Sequence, residues 1–236
     1  MENRIRQGYQ LEVSKNLAHR IEGRLVSNCG NSEIELSKNE LSTFNRFIVV
    51  KGNILNDKKL IVNYSLDDDL FTAKIRKIGK KKTEYTTALV QGDSLVNTLT
   101  ALNDYLAWYG KDIEHSIDTI NASLKKDYSL VLLKDACSFL KADTNHQKLS
   151  INRVSERTAS IFSMFPNIIK KVSDTDSMMV AVIKEGDKYI IKSRNFLTGD
   201  EETSEEFGDL LDGLVTIDRN IERKSKGRKT LCKKHC

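Results

Sequence analysis

The sequence holds one proline, Pro166, and no run of apolar residues near the length of about 18 that a membrane-spanning helix needs. A Pro-rich linker and a membrane span are both excluded on these grounds. Cysteine is scarce as well: Cys29, Cys137, Cys232 and Cys236 show no framework spacing, so a disulfide-stapled secreted scaffold is excluded in favour of a reducing compartment. The opening residues, MENRIRQGYQ, carry basic side chains with no apolar segment behind them, which is not the pattern of a secretory signal. The expectation is a cytoplasmic protein. Motifs of enzymes are missing too. There is no GxxxxGK[ST] phosphate loop, no GxGxxG, no HExxH and no GxSxG, so the reading is non-enzymatic and without a cofactor.

What is present is charge, unevenly placed. From residue 219 to 236 there are eight Lys or Arg against one acid, Glu222, a net of +7 in a chain whose formal charge is +5, which leaves about −2 for residues 1–218. A second basic run, KIRKIGKKK, supplies Lys74, Arg76, Lys77, Lys80, Lys81 and Lys82. Cations gathered in this way are the footprint of a protein that meets phosphate, because each contact releases a condensed counterion. The alternative reading of the terminal run is a solubilising tail.

Hydrophobic patterning gives an α+β protein. A first helix is expected between residues 7 and 26, where Leu11, Leu17, Ile21 and Leu25 recur at roughly helical spacing. The runs FIVVKGNIL, KLIVNYSL, LFTAKIRKI and TEYTTALV then read as an antiparallel strand meander broken by Asn-Asp, Asp-Asp-Asp and Gly-Lys-Lys turns. Gly92-Asp93-Ser94 opens an amphipathic helical stripe that runs to Leu124, as one long helix or as two broken near Gly110, with Trp108 and Tyr109 packed at the break. Domains are expected at 1–127 and 128–218, followed by a basic flexible tail at 219–236.

In the stretch 129–194, helices are expected at 130–141, 151–159 and 166–172, followed by a hairpin turned at Glu185-Gly186-Asp187. Three short helices and a hairpin resemble the winged helix-turn-helix family in element order, over about a quarter of the chain. That resemblance implies a recognition helix carrying Asn167, Lys170 and Lys171, and a wing carrying Lys184, Lys188, Lys192 and Arg194. An unrelated α+β packing shares the same order. A second pattern competes: residues 70–106 and 178–215 both read strand, basic turn, strand, cap and amphipathic helix, the mark of a diverged ββα repeat.

Two functions follow from these residues. The first is a nucleic-acid-binding protein that grips the phosphate backbone, of DNA in preference to RNA, through Lys74, Arg76, Lys80, Lys81 and Lys82 on the hairpin. Lys170, Lys171, Lys188 and Arg194 add contacts, and the tail contributes Arg223, Lys224, Lys226, Arg228 and Lys229. Lysine meets phosphate as a point charge, so binding should be salt-dependent and little concerned with sequence. The second is an interaction or inhibitor protein. The Lys-, Asn- and Ile-rich, Pro-poor composition resembles that of small early proteins of phages with AT-rich genomes, which implies a host partner such as RNA polymerase or a nuclease. Asp200, Glu201, Glu202, Glu205, Glu206 and Asp209 would imitate DNA phosphates toward it, or else simply favour the N-terminus of the helix that follows. Asp67-Asp68-Asp69 reads as an acidic turn before it reads as a Mg²⁺ site. Cys232, His235 and Cys236 give three zinc-type ligands where a structural site wants four, so no metal is expected.

Overall fold

Residues 58–92 form the expected meander: β4 (Lys58–Ser65), β5 (Leu70–Ile78) and β6 (Glu84–Gly92) pair antiparallel in sequence order. The structure, a computed structural model, describes residues 1–30, 32–78, 84–143, 148–175 and 178–232. The chain divides into two units, Met1–Glu114 and His115–Cys236. The fold is α+β, each unit built on one six-stranded antiparallel sheet.

In the first unit a short α1 (Glu2–Arg6) leads into β1 (Tyr9–Lys15), β2 (Ile21–Ser27) and β3 (Glu33–Glu35). Then come α2 (Lys38–Ser42), a 3-10 turn (Thr43–Arg46) and α3 (Ile48–Leu55), before the β4–β6 meander and α4 (Leu95–Trp108). The sheet order is β3-β2-β1-β4-β5-β6. The helix expected over 7–26 is instead the β1–β2 hairpin. Leu11 and Val13 alternate inward and are fully buried, whereas Leu17, which completed the helical spacing, lies exposed in the turn. FIVVKGNIL, expected as a strand, is α3. Its β-branched residues are overruled by tertiary contacts: Phe44 and Phe47 are buried just before the helix, and Asn103 Oδ1 of α4 accepts from the Val49 N–H at 3.0 Å.

Helix α5 (Gly110–Leu124) begins after a break at Tyr109 and runs across the division between the units. At that break Trp108 is 80% exposed, against the expectation that it packs there, and Tyr109, 61% exposed, has its ring 6.4 Å from that of Tyr105. The second unit then repeats the plan of the first. β7 (Ser129–Leu133), β8 (Ala136–Asp143) and β9 (Lys148–Arg153) are followed by α6 (Glu156–Ala159), a 3-10 turn (Ser160–Met164) and α7 (Pro166–Ser173). β10 (Met178–Glu185), β11 (Lys188–Asn195), β12 (Glu201–Phe207) and α8 (Leu210–Cys232) complete it. The sheet order, β9-β8-β7-β10-β11-β12, is the same as in the first unit.

The correspondence reaches single residues. Leu11 faces Val62 and Val13 faces Leu60 across the central pair of the first sheet; Leu130 faces Val182 and Leu132 faces Val180 in the second. Gly8 before β1 and Asp127 before β7 both take positive φ, 94° and 62°, each just after a buried residue, Ile5 or Leu124. Ser37 and Ser155 cap α2 and α6, and the Phe44/Phe47 pair recurs as Phe162/Phe165. Asp218 of α8 stands where Asn103 stands in α4: its carboxylate accepts from the Asn167 and Ile168 N–H groups at 2.8 and 2.9 Å. The repeat is thus the whole unit, and β10-β11-β12-α8 answers to β4-β5-β6-α4.

This plan replaces the winged-helix order. Residues 130–141 are the β7–β8 hairpin, and 151–159 is the end of β9 followed by α6. The β10–β11 hairpin and α7 stand where expected, but strands β7, β8 and β9 take the place of the first expected helix and part of the second. Residues 219–232, expected as a flexible tail, continue α8 as helix.

Candidate nucleic-acid interface

The basic hairpin of the first unit is largely neutralised where it is described. Arg76 Nη1 lies 3.3 Å from Glu84, and Lys77 Nζ lies 2.7 Å from Glu114. Lys74 is half-buried on β5. Lys80, Lys81 and Lys82 lie outside the described residues. Glu114 also receives Lys58 at 2.6 Å, so one carboxylate of α5 holds two lysines from β4 and β5. Burial alone would raise the Glu114 carboxyl, but the hydrogen bonds from Lys58 and Lys77 outweigh it and hold its pKa below the ordinary 4.5. Glu12, paired with Lys59 at 2.9 Å and Arg24 at 2.8 Å, is lowered by the same balance.

A depressed carboxylate stabilises the fold above its unfolded pKa, and that contribution disappears as pH falls through the folded value. Replacing Glu114 by glutamine is therefore expected to lower stability by about 1–2 kcal/mol at neutral pH. The gap between wild type and variant should stay level above about pH 5 and close toward about pH 3, as followed by urea unfolding. A gap that persists at acid pH would show that Glu114 acts through packing alone.

The second unit carries a groove of about 950 Å³ between α7 and α8, floored by β10, β11 and β12. Its apolar lining is Val180, Ile191 and Phe207 from the strands and Ile217 and Ile221 from α8. Three of the sequence-predicted cations come together on it: Lys170 and Lys171 from α7 and Arg223 from α8. Lys170 pairs with Asp174 one turn along at 2.9 Å, and Lys171 Nζ approaches the Ser193 hydroxyl at 3.4 Å. Lys188 and Arg194 lie outside the groove on β11, where Lys188 is salt-bridged to Glu206 and Arg194 is exposed opposite Glu201.

The acidic residues divide in the same way. Asp200 and Glu205 line the groove, and Glu201, Glu202 and Glu206 belong to β12, an edge strand of its sheet. Asp209 is buried at 6% exposure and accepts from the Leu211 and Asp212 N–H groups at the start of α8. It serves the helix, not a surface.

α8 joins the groove to the strongest charge in the chain. Leu210, Leu211 and Leu214 are buried, and Asp218 anchors α7. From Arg219 to its end at Cys232 the helix then carries six Lys or Arg, among them Lys224, Lys226, Arg228 and Lys229, against Glu222. Neither Asp218 nor Asn220, which lines the groove two residues on, carries any signal in the sequence; only the packing of α7 on α8 reveals them.

Other candidate chemistry resolves into structure. Asp69 accepts from Arg6 and Tyr64, and Asp68 from Ser65, so the triple-Asp turn is tied to its own unit. No cluster of metal-binding side chains occurs among the described residues. Burial pushes the Cys137 thiol up to about 11, which keeps it protonated and unreactive. Of the terminal zinc-type ligands, His235 and Cys236 lie outside the described residues. No family model matches the chain, and no curated protein matches it.

Proposed function

We propose that this is a non-enzymatic nucleic-acid-binding protein that grips the phosphate backbone with the basic half of α8. The observation that carries the reading is the continuity of α8: its first turns are anchored in the second unit through Leu211, Leu214 and Asp218, and from Arg219 to Cys232 it holds six cations to one acid. A segment so charged neutralises backbone phosphates and releases their counterions without reading bases. The 74–82 hairpin is an auxiliary contact, since Arg76 and Lys77 are already paired. DNA is the favoured partner. The same reading places the protein in the cytoplasm, where the unpaired Cys29 and Cys137 suit a reducing environment.

Fluorescence anisotropy with a labelled DNA duplex across a salt series tests this. Binding is expected at about 150 mM salt, with the logarithm of affinity falling steeply and linearly against the logarithm of salt, by about 0.9 for each phosphate engaged. No binding at that salt would overturn the reading. It would then favour an interaction protein, for which the exposed Glu201, Glu205 and Glu206 on edge strand β12 are the supporting feature.

A further inference from the structure

The internal repeat shows which features of the second unit are not required by its fold. In the first unit the matching positions between α3, α4 and the sheet pack on the core. Tyr105 and Leu106 of α4 pack on the core, and Ile75 of β5, opposite Leu60, is fully buried. The matching positions are defined by the shared register. Asn220 follows Asp218 as Tyr105 follows Asn103, and Ser193 stands opposite Val180 as Ile75 stands opposite Leu60. Val90, two residues before Gly92 at the end of β6, is likewise answered by Glu205, two residues before Phe207 at the end of β12. A tyrosine ring and two aliphatic side chains that pack in or on the first core are thus replaced by an amide, a hydroxyl and a carboxylate, and these line the groove of about 950 Å³.

A second exchange shows that the packing nearby is kept tight. A Cβ on Gly92 would meet the Thr98 hydroxyl at 2.7 Å, and a Cβ on Gly213 would meet the Phe207 ring at 2.9 Å. Small and large residues have traded places between strand end and helix, so contact is retained there. The groove lies where three positions of the shared plan have changed character.

We infer that this groove receives an unpaired nucleotide of the nucleic acid held by α8; the inference rests on the reading given above. The ligand must be polar at both ends and apolar between. Lys170, Lys171 and Arg223 stand on the helix walls, and Arg223 leads directly into the basic run of α8, so a phosphate there continues onto a backbone already gripped. Ile191 and Phe207 of the floor, with Ile221 of α8 beside them, offer an apolar surface to a base. Asp200 and Glu205 on the strand side accept hydrogen bonds only, which suits the exocyclic amines of a base, at the end of the nucleotide away from its phosphate. Asp174 faces the groove too, but its carboxylate is held by Lys170. Asn220 is exposed at the mouth, with both a donor and an acceptor for a base edge.

The experiment compares a labelled 12-nucleotide DNA strand of mixed sequence with the same strand annealed to its complement, for the full chain and for Asn220→Tyr, which restores the first unit's residue. The variant is expected to lose about ten- to hundred-fold in affinity for the single strand, while keeping its affinity for the duplex and its salt slope. Lysine acetylation of the wild-type protein, read by mass spectrometry, gives a measure that needs no variant: Lys170, exposed in the free protein, should be protected by the single strand and not by the duplex. Unchanged single-strand affinity in Asn220→Tyr, with Lys170 unprotected, would overturn the inference and leave the groove to a peptide. Failure of both strand and duplex to bind wild type would overturn the parent reading as well, so the two failures are told apart by the duplex.

Discussion

Replacing Phe165 by alanine is expected to destabilise the second unit by about 3–5 kcal/mol, a large share of the roughly 5–15 kcal/mol that holds an ordinary domain together. Phe165 is 1% exposed and sits where the 3-10 turn meets α7, with its ring centroid 6.4 Å from that of Phe162. Its backbone, at φ −120° and ψ 70°, is the non-helical entry from which Pro166 starts the helix. Removing the ring leaves a cavity under that entry. The three bonds from Asp218 to Asn167 and Ile168 then hold the helix start against a floor that is no longer filled. Hydrogen exchange should report the loss over residues 166–173, with protection falling by the factor the free energy implies. Phe47→Ala should do the same to α3, because Phe47 stands at its entry as Phe165 stands at the entry of α7. A loss below about 1 kcal/mol in Phe165→Ala would show that the Phe pair is not the support of α7.

How far such features were legible in the sequence depends on whether a segment's local signal agrees with its tertiary fate. The β4–β6 meander and the β10–β11 hairpin follow from strict alternation and from turns such as Glu185-Gly186-Asp187, and α4 follows from Ser94 as its cap. In the β1–β2 hairpin the signals conflict. Leu11, Leu17, Ile21 and Leu25 fall at helical intervals, yet His19 in the turn takes φ 56°, and the inward pair is Leu11 with Val13. For α3 the β-branched run of 48–50 favours a strand, and burial beside Phe44 and Phe47 with the cap from Asn103, far along the chain, makes it a helix. Local propensity is a weak prior against contacts of that range.

The site divides along the same line. Charge placement is a property of composition, so the basic character of residues 219–232 was open to counting. Counting could not show that Lys77 is bound to Glu114, Arg76 to Glu84 and Lys188 to Glu206, since each partner lies on another element. Nor could it reveal the groove. That depends on Asn220 and Ser193 being small where the first unit has Tyr105 and Ile75, a difference that acquires meaning only once both units are known to share one register.

Exchanging Lys224, Lys226, Arg228 and Lys229 together for glutamine is expected to weaken duplex binding roughly 30-fold at about 150 mM salt if two of the four meet phosphates, and roughly a thousand-fold if all four do. Each phosphate contact contributes about 0.9 to the slope of log affinity against log salt, so the slope should flatten by about 1.8 or 3.6. Curves for wild type and variant should converge near about 1 M salt, where counterion release gains nothing. Glutamine keeps nearly the helix propensity of lysine and arginine, so the exchange removes charge and leaves the helix. The anchors of α8 in the second unit, Leu211, Leu214 and Asp218, precede all four positions, and α7 should retain its hydrogen-exchange protection. A variant with undiminished affinity and slope would locate the grip elsewhere. The next exchange would then be Lys80, Lys81 and Lys82, the cations of the β5–β6 connection, whose neutralisation would carry the slope change in place of α8.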